Sequence, residues 1–262
     1  RTNSHDHVKT AIDHGFKNMD IEILDGELGN EYTEVDVHGK KIKLGRGIKK
    51  FDSLIVISHF KGHMMAGFGG AFKNLAMGLA SRAGKLDMHS NISPKIKQGI
   101  CTNCKKCIEN CQSKAIKIFP ATNKPRINPE KCNGCAMCIA ICPTRAVEIP
   151  WHGATKEELQ KKIVKYSKGA INLFKDKITY INVLENITQN CDCLGIQQTP
   201  IMQDIGIILG FDPVAIDNAS LELAEKTSKG KFIEKAKAEK TQIEYAQTLG
   251  LGKKEYEIKK LE

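Results

Sequence analysis

Long apolar runs are missing from this chain. None approaches the roughly 20 residues that a membrane-spanning helix needs, and no signal-peptide pattern stands at the start. A membrane protein is therefore not expected. Aromatic residues are scarce too, 6% of 262 positions with a single Trp, and no basic block has aromatics interleaved in it. That pattern argues against a nucleic-acid partner, although Lys and Arg outnumber Asp and Glu by 40 to 30. Also missing are the separated C-x-x-C pairs of zinc ribbons and the hallmarks of a small secreted, disulfide-stapled domain.

Present instead are ten cysteines, eight of them between residues 101 and 142. The first run reads Cys101-x-x-Cys104-x-x-Cys107-x-x-x-Cys111, and the second reads Cys132-x-x-Cys135-x-x-Cys138-x-x-x-Cys142-Pro143. This is the spacing with which bacterial two-cluster ferredoxins hold a pair of [4Fe–4S] cubanes. Three closely spaced thiolates wrap three corners of one cube, and the fourth is carried past it to the other. The expected ligand sets are Cys101, Cys104, Cys107 and Cys142 for one cluster, and Cys111, Cys132, Cys135 and Cys138 for the second. Gln112 stands where the first copy would carry proline, which touches only the local turn. Oxygen-sensitive clusters and unpaired thiols make a reducing cytoplasm the expected setting.

The formal net charge is +10. Two thiolate-ligated clusters, each adding about two negative charges, would lower it. Basic residues are densest around the cysteines, with Lys95, Lys97, Lys105, Lys106, Lys114, Lys117, Lys124, Arg126, Lys131 and Arg145 against Glu109, Glu130 and Glu148. Such a rim suits an acidic redox partner protein or an anionic small molecule. A solvated surface balancing buried negative clusters fits equally well.

The remaining chain reads as α/β. Residues 4–14 carry a helical pattern closed by Gly15, and Ile21–Leu24 is a strand candidate. Val35, Val37, Ile42 and Leu44 flank a His38-Gly39 turn, as in a hairpin. Leu54–Ser58 (LIVIS) suits a strand buried on both faces. It leads into a loop, residues 59–74, with Lys61, Gly67, Gly69, Gly70, Lys73 and Asn74, followed by a helix from about Asn74. Open α/β sheets place ligands at such strand–loop–helix junctions. The loop matches neither GxGxxG nor GxxxxGK[ST], so it carries no nucleotide fingerprint, and glycines there also serve tight packing. His59 and His63 fit metal ligation, proton donation or loop packing.

Pro94 opens an insert reaching Pro150, within which short strands repeat after each cysteine run (Ala115–Phe119, Ala146–Ile149). Thr155 and Glu158 then make a capping box ahead of a helix burying Leu159, Ile163, Tyr166, Ala170 and Leu173. Ile178–Leu184 and Ile205–Leu209 are strands, and Asp212-Pro213 opens another helix. Cys191 and Cys193 close the loop after the first of these strands. One intervening residue is too tight for a C-x-x-C redox pair. With His59, His63 or Asp204 they could bind a soft metal, or they could be small residues in a turn.

The stretches SHFKGHMMAGFGGAFKNLAMGLASRAGK, NITQNCDC, PIMQDIGI and FDPVAIDNAS resemble the iron–sulfur family called domain of unknown function 362. The resemblance implies an α/β domain (1–93 and 151–262) interrupted by a small α+β two-[4Fe–4S] ferredoxin-like module (94–150). Members carry more sequence ahead of the equivalent of Arg1, so a truncated start is expected. The matching positions are His59, Lys61, His63, Lys73, Asn74, Cys191, Cys193, Asp204, Asp212 and Asp217. Asp212 already has an account as a helix cap.

The expected function is electron transfer through two [4Fe–4S] clusters between cytoplasmic redox partners. The alternative is a reductase whose α/β domain holds a metal, cofactor or anionic substrate at the 59–74 and 191–193 loops. There the candidate catalytic residues are His59, His63, Lys73, Cys191, Cys193 and Asp204, with Lys61, Gly67, Gly69, Gly70 and Asn74 binding the cofactor. A docking subunit of a larger redox complex is a third reading.

Overall fold

The computed structural model describes residues 3–90, 93–149, 153–175 and 177–260. The expected module boundary at Pro150 and the chain start at Arg1 lie outside them. Among the described residues the chain is a mixed α/β protein with small sheets and nine α-helices. In order they are α1 (Ser4–Asp13), β1 (Tyr32–Val37), β2 (Lys40–Gly45), β3 (Leu54–His59), β4 (Lys61–His63), β5 (Gly67–Gly69), α2 (Ala71–Leu79) and α3 (Arg82–His89). There follow β6 (Lys95–Ile96), α4 (Lys106–Glu109), β7 (Ile116–Phe119), β8 (Lys124–Ile127), α5 (Met137–Ala140) and β9 (Val147–Glu148). The last are α6 (Lys156–Phe174), β10 (Ile178–Leu184), β11 (Gly206–Gly210), α7 (Pro213–Thr227), α8 (Phe232–Ala236) and α9 (Thr241–Thr248).

Two compact units emerge. One comprises described residues within 1–36, 41–50 and 80–154, and the other those within 37–40, 51–79 and 155–262. The first unit contains all of the expected insert together with segments ahead of it. Its helix α1 is capped by Asn3, whose side chain accepts the Asp6 N–H. The β1/β2 hairpin turns through His38 (φ 53°) and Gly39 (φ 77°), two consecutive positive φ values that a tight two-residue turn requires. The expected strand at Ile21–Leu24 does not form. Leu24 instead runs across Gly45 and Gly47, its carbonyl accepting the Gly47 N–H at 2.8 Å, and a side chain on Gly45 would strike Leu24.

The second unit is built on a three-stranded sheet in the order β11-β10-β3, with β3 parallel and β11 antiparallel to β10. Helices α2 and α7 pack on one face, and α6 packs behind α2. Val56, Ser58, Ile178, Tyr180, Asn182 and Leu184 point into that core. The LIVIS run is thus not buried on both faces: Ile55 and Ile57 are exposed, as are Ile207 and Leu209 on β11. The reason is the layer count, since among the described residues of this unit the helices pack on one side of the sheet. The capping box forms as expected, with Thr155 Oγ1 accepting the Glu158 N–H and Glu158 accepting the Thr155 N–H. Along α6, Phe174 rather than Leu173 takes the last buried position. Phe60 stacks at 5.6 Å between Phe68 and Phe232, contacts worth about 0.5–1.5 kcal/mol each beyond area burial.

Candidate functional site

In the first unit the two cysteine runs fold as copies 31 residues apart (101 and 132 at their starts). Helix α4 is matched by α5, and β7 by β9, at that offset. Positive φ recurs at Asn103 and Gly134, at Lys105 and Ala136, and at Lys114 and Arg145. The Cys111 sulfur accepts the Ala115 N–H at 3.3 Å, and the Cys142 sulfur accepts the Ala146 N–H at 3.2 Å. Burial pushes the same two thiols up, but the Ser113 and Thr144 hydroxyls, one in each copy, together with neighbouring backbone N–H groups outweigh it and hold both below the ordinary range.

The sulfurs assemble across the copies. Cys101, Cys104, Cys107 and Cys142 line one pocket with Ile96, Pro125 and Val147. Burial first, and then Cys101, Cys104 and Cys142, push the Cys107 thiol up. Burial likewise, followed by Cys135, Cys132, Cys107 and Cys111, pushes Cys138 to about 12. Each third cysteine therefore has its own run and the last cysteine of the other among its neighbours, and Cys138 has Cys107 as well. Ten cysteines, eight of them grouped in this way, give the chain ample donors for binding metal.

In the second unit a separate group of side chains forms around the loop after β10. Ligating atoms of His63, Cys191 and Cys193 all lie within 4.8 Å of one another, close enough to surround an ion. Strand β4 supplies His63, and helix α2 supplies Lys73, whose Nζ donates to Cys191 Sγ at 3.3 Å. The Cys193 backbone N–H donates to the same sulfur at 3.4 Å. Between the cysteines, Asp192 reaches back to the sheet, accepting from Lys61 Nζ and lying 3.0 Å from His59 Nδ1. Burial opposes ionisation of Asp192, but those two partners outweigh it and the carboxyl stays below its ordinary range.

The glycine-rich segment explains how β4 and α2 come so close. A side chain on Gly62 would meet the Gln189 carbonyl at 2.1 Å, one on Gly67 (φ 77°) the Glu239 backbone, and one on Gly70 the Asp217 carboxylate at 2.3 Å. Gly69 faces the Lys61 and Lys73 stems instead. Helix α2 begins at Ala71, three residues before the expected start, and its first N–H groups are already engaged. Asp217 on α7 accepts Ala71 N–H at 2.7 Å and Phe72 N–H at 3.1 Å, and Asn182 donates to it at 2.9 Å. Complete burial raises Asp217 to about 6, although those three donors pull the other way.

Of the candidate residues, His63, Lys73, Cys191 and Cys193 come together, and His59 and Lys61 join through Asp192. Asn74 is engaged elsewhere, donating to the Ile57 carbonyl at 2.7 Å and Ser58 Oγ at 3.1 Å. Asp204 accepts the Asn186 N–H at 2.6 Å. Asp212 caps α7, accepting from Val214 and Ala215. Sequence reasoning passed over Asp192, the clamp of the thiol loop, and Gln242, which donates to the Ala66 and Phe68 carbonyls from 176 and 174 residues away. The one available signal for Asp192 was its place between the two cysteines.

A family model described as "Domain of unknown function (DUF362)" matches residues 1–222. Searches of curated proteins and of solved structures gave no match. No helix among the described residues is long and apolar enough to cross a membrane.

Proposed function

We propose, for a chain that belongs to the DUF362 family, that residues 94–150 are a ferredoxin-like module holding two [4Fe–4S] clusters. The protein then passes single electrons between redox partners. The observation carrying this reading is the 31-residue repeat, in which cysteine spacing, positive-φ positions and N–H···S bonds all recur together. Backbone alternating between right- and left-handed conformations turns successive N–H groups inward as an anion-binding nest, a device used at Fe–S sites. Holding Lys105, Ala136, Lys114 and Arg145 at positive φ costs free energy, and a bound anionic group would offset it.

The donor set also fits clusters better than single ions. Zinc at about 2.3 Å from each sulfur would draw tetrahedral sulfurs to about 3.8 Å from one another. Among the described residues, no three of the eight cysteines lie within 4.8 Å. Cys101, Cys104, Cys107 and Cys142 would hold one cluster, and Cys111, Cys132, Cys135 and Cys138 the other. When bound, such clusters accept and release one electron at a time. The chain orients them, shields the one at Cys101, Cys104, Cys107 and Cys142 with Ile96, Pro125 and Val147, and aims the Ala115 and Ala146 N–H groups at ligand sulfurs.

Lys105, Lys106, Lys114, Lys117, Lys131 and Arg145 are exposed around this segment and offer a docking face for an acidic redox protein. In stopped-flow mixing of the reduced protein with an acidic flavodoxin-type acceptor, transfer should slow as ionic strength rises, and slow again in Lys105→Glu/Lys106→Glu. Rates indifferent to both would remove the docking reading. A second reading, a reductase using the α/β unit, is favoured by the convergence of His63, Lys73, Cys191 and Cys193 on one loop.

A further inference from the structure

Cys191 is buried; Lys73 Nζ donates to its sulfur at 3.3 Å and the Cys193 backbone N–H at 3.4 Å, and the Cys193 sulfur and a ring nitrogen of His63 lie within 4.8 Å of it. The role of His63 follows from its other nitrogen. Nδ1 accepts the Met65 N–H at 3.2 Å and the Ala66 N–H at 3.0 Å, which assigns the ring proton to Nε2. A metal ion on Nε2 would require that proton on Nδ1, facing two N–H donors, whereas metal-bound imidazoles give theirs to an acceptor. The Lys73 ammonium beside Cys191 would also repel a cation. This ring of donors suits an anionic sulfur.

We infer that Cys191 is a nucleophilic thiolate that exchanges with low-molecular-weight disulfides, with Cys193 as its proton donor. The Cys191 sulfur bonds to one sulfur of R–S–S–R and the S–S bond breaks. The electron pair leaves on the second sulfur, which takes the Cys193 proton and departs as R–SH. Cys191 is oxidised to a mixed disulfide, the disulfide is the oxidant, and Cys193 is left as the thiolate. A second thiol within 4.8 Å is what favours a disulfide over other soft electrophiles. Asp192, Cys193 and Leu194 are exposed, so the loop opens to solvent beside the sulfur.

The charges facing the pair agree. Hydrogen bonding from Cys193 first, then from His63, and the Lys73 charge hold Cys191 far below the usual thiol range, while burial opposes them. Cys191 and burial push Cys193 upward, with Lys73 and Lys61 opposing. The remaining neighbours, Asp192 with Lys61 and His59, neutralise one another across the loop.

The test is reaction of the anaerobically purified protein with bis(2-hydroxyethyl) disulfide at pH 8 and pH 6, with adducts mapped by mass spectrometry. The adduct is expected on Cys191, at a pH 6 rate within tenfold of that at pH 8. An ordinary cysteine would lose about 75-fold over that interval. Cys193→Ala, which keeps the nucleophile and removes its donor, should still label Cys191 at pH 8 but steepen the pH dependence at least threefold. Adduct on Cys193 in the unaltered protein, a 75-fold fall at Cys191, or no adduct at pH 8 overturns the inference. So does a stoichiometric metal ion that Cys191→Ser releases. If the cluster reading alone fails, the eight cysteines of 101–142 become labelled as well, and the result at Cys191 still stands.

Discussion

The two sulfur-rich regions hold their cysteines by opposite means. Between 101 and 142, spacing and local backbone do the work, and the same turn geometry is written twice. Around Cys191, the partners come from far along the chain: Lys73 is 118 residues away, and the clamp between His59 and Asp192 spans 133. A locally encoded site tolerates disturbance elsewhere in the chain. A site assembled from β4, α2 and the loop after β10 depends on the packing that brings them together.

The largest effect that would separate the regions is on iron. Cys104→Ser should lower iron from about eight to about four per chain, while Cys191→Ser leaves it unchanged. Iron and acid-labile sulfide assays read this directly, and an equal loss in both variants would erase the distinction.

Next in size is Asp217, which fastens the start of α2, and so Lys73, to α7 and β10. Asp217→Ala leaves the Ala71 and Phe72 N–H groups without their acceptor in the core and the Asn182 amide with Ser220 Oγ alone. A loss of about 2–4 kcal/mol in urea unfolding is expected, with iron content retained. Unchanged stability would show that the tertiary site does not hang on this contact.

The same carboxyl carries a pH signature. Its folded pKa, about 6, lies above its unfolded value. It therefore contributes stability that is fully present below about pH 4 and is lost as pH rises through about 6, on the order of 2–3 kcal/mol. The difference in unfolding free energy between the protein and Asp217→Asn should fall by that order between pH 4.5 and pH 7. A flat difference would contradict the raised value.

Smallest is Lys61→Met. Asp192 is more than half exposed, so losing its lysine should cost under about 1 kcal/mol. A larger loss would mean that the thiol loop is held chiefly by this clamp.

These contrasts match what could be read from residues alone. The hairpin at His38-Gly39, the Thr155/Glu158 box and the Asp212 cap are short-range, and each was legible because its partners lie within four residues. That the two cysteine runs repeat was legible for a related reason, since matched spacing 31 residues apart folds into matched turns and helices. Leu54–Ser58 misled because β-branched continuity reports hydrophobicity, not how many layers will cover a sheet. Ile21–Leu24 misled because its close approach to Gly45 and Gly47 replaces strand pairing. In the glycine-rich loop, sequence could not tell ligand approach from backbone approach. At Gly62, Gly67 and Gly70 the neighbours prove to be Gln189, Glu239 and Asp217. Asp192 stayed hidden because its partners, Lys61 and His59, lie on strands more than 130 residues earlier.

The central claim, that 101–142 holds two cubanes, is tested most directly by counting iron and acid-labile sulfide in protein reconstituted anaerobically. The account expects about eight of each per chain. A plateau at about four, or iron without sulfide, would contradict it.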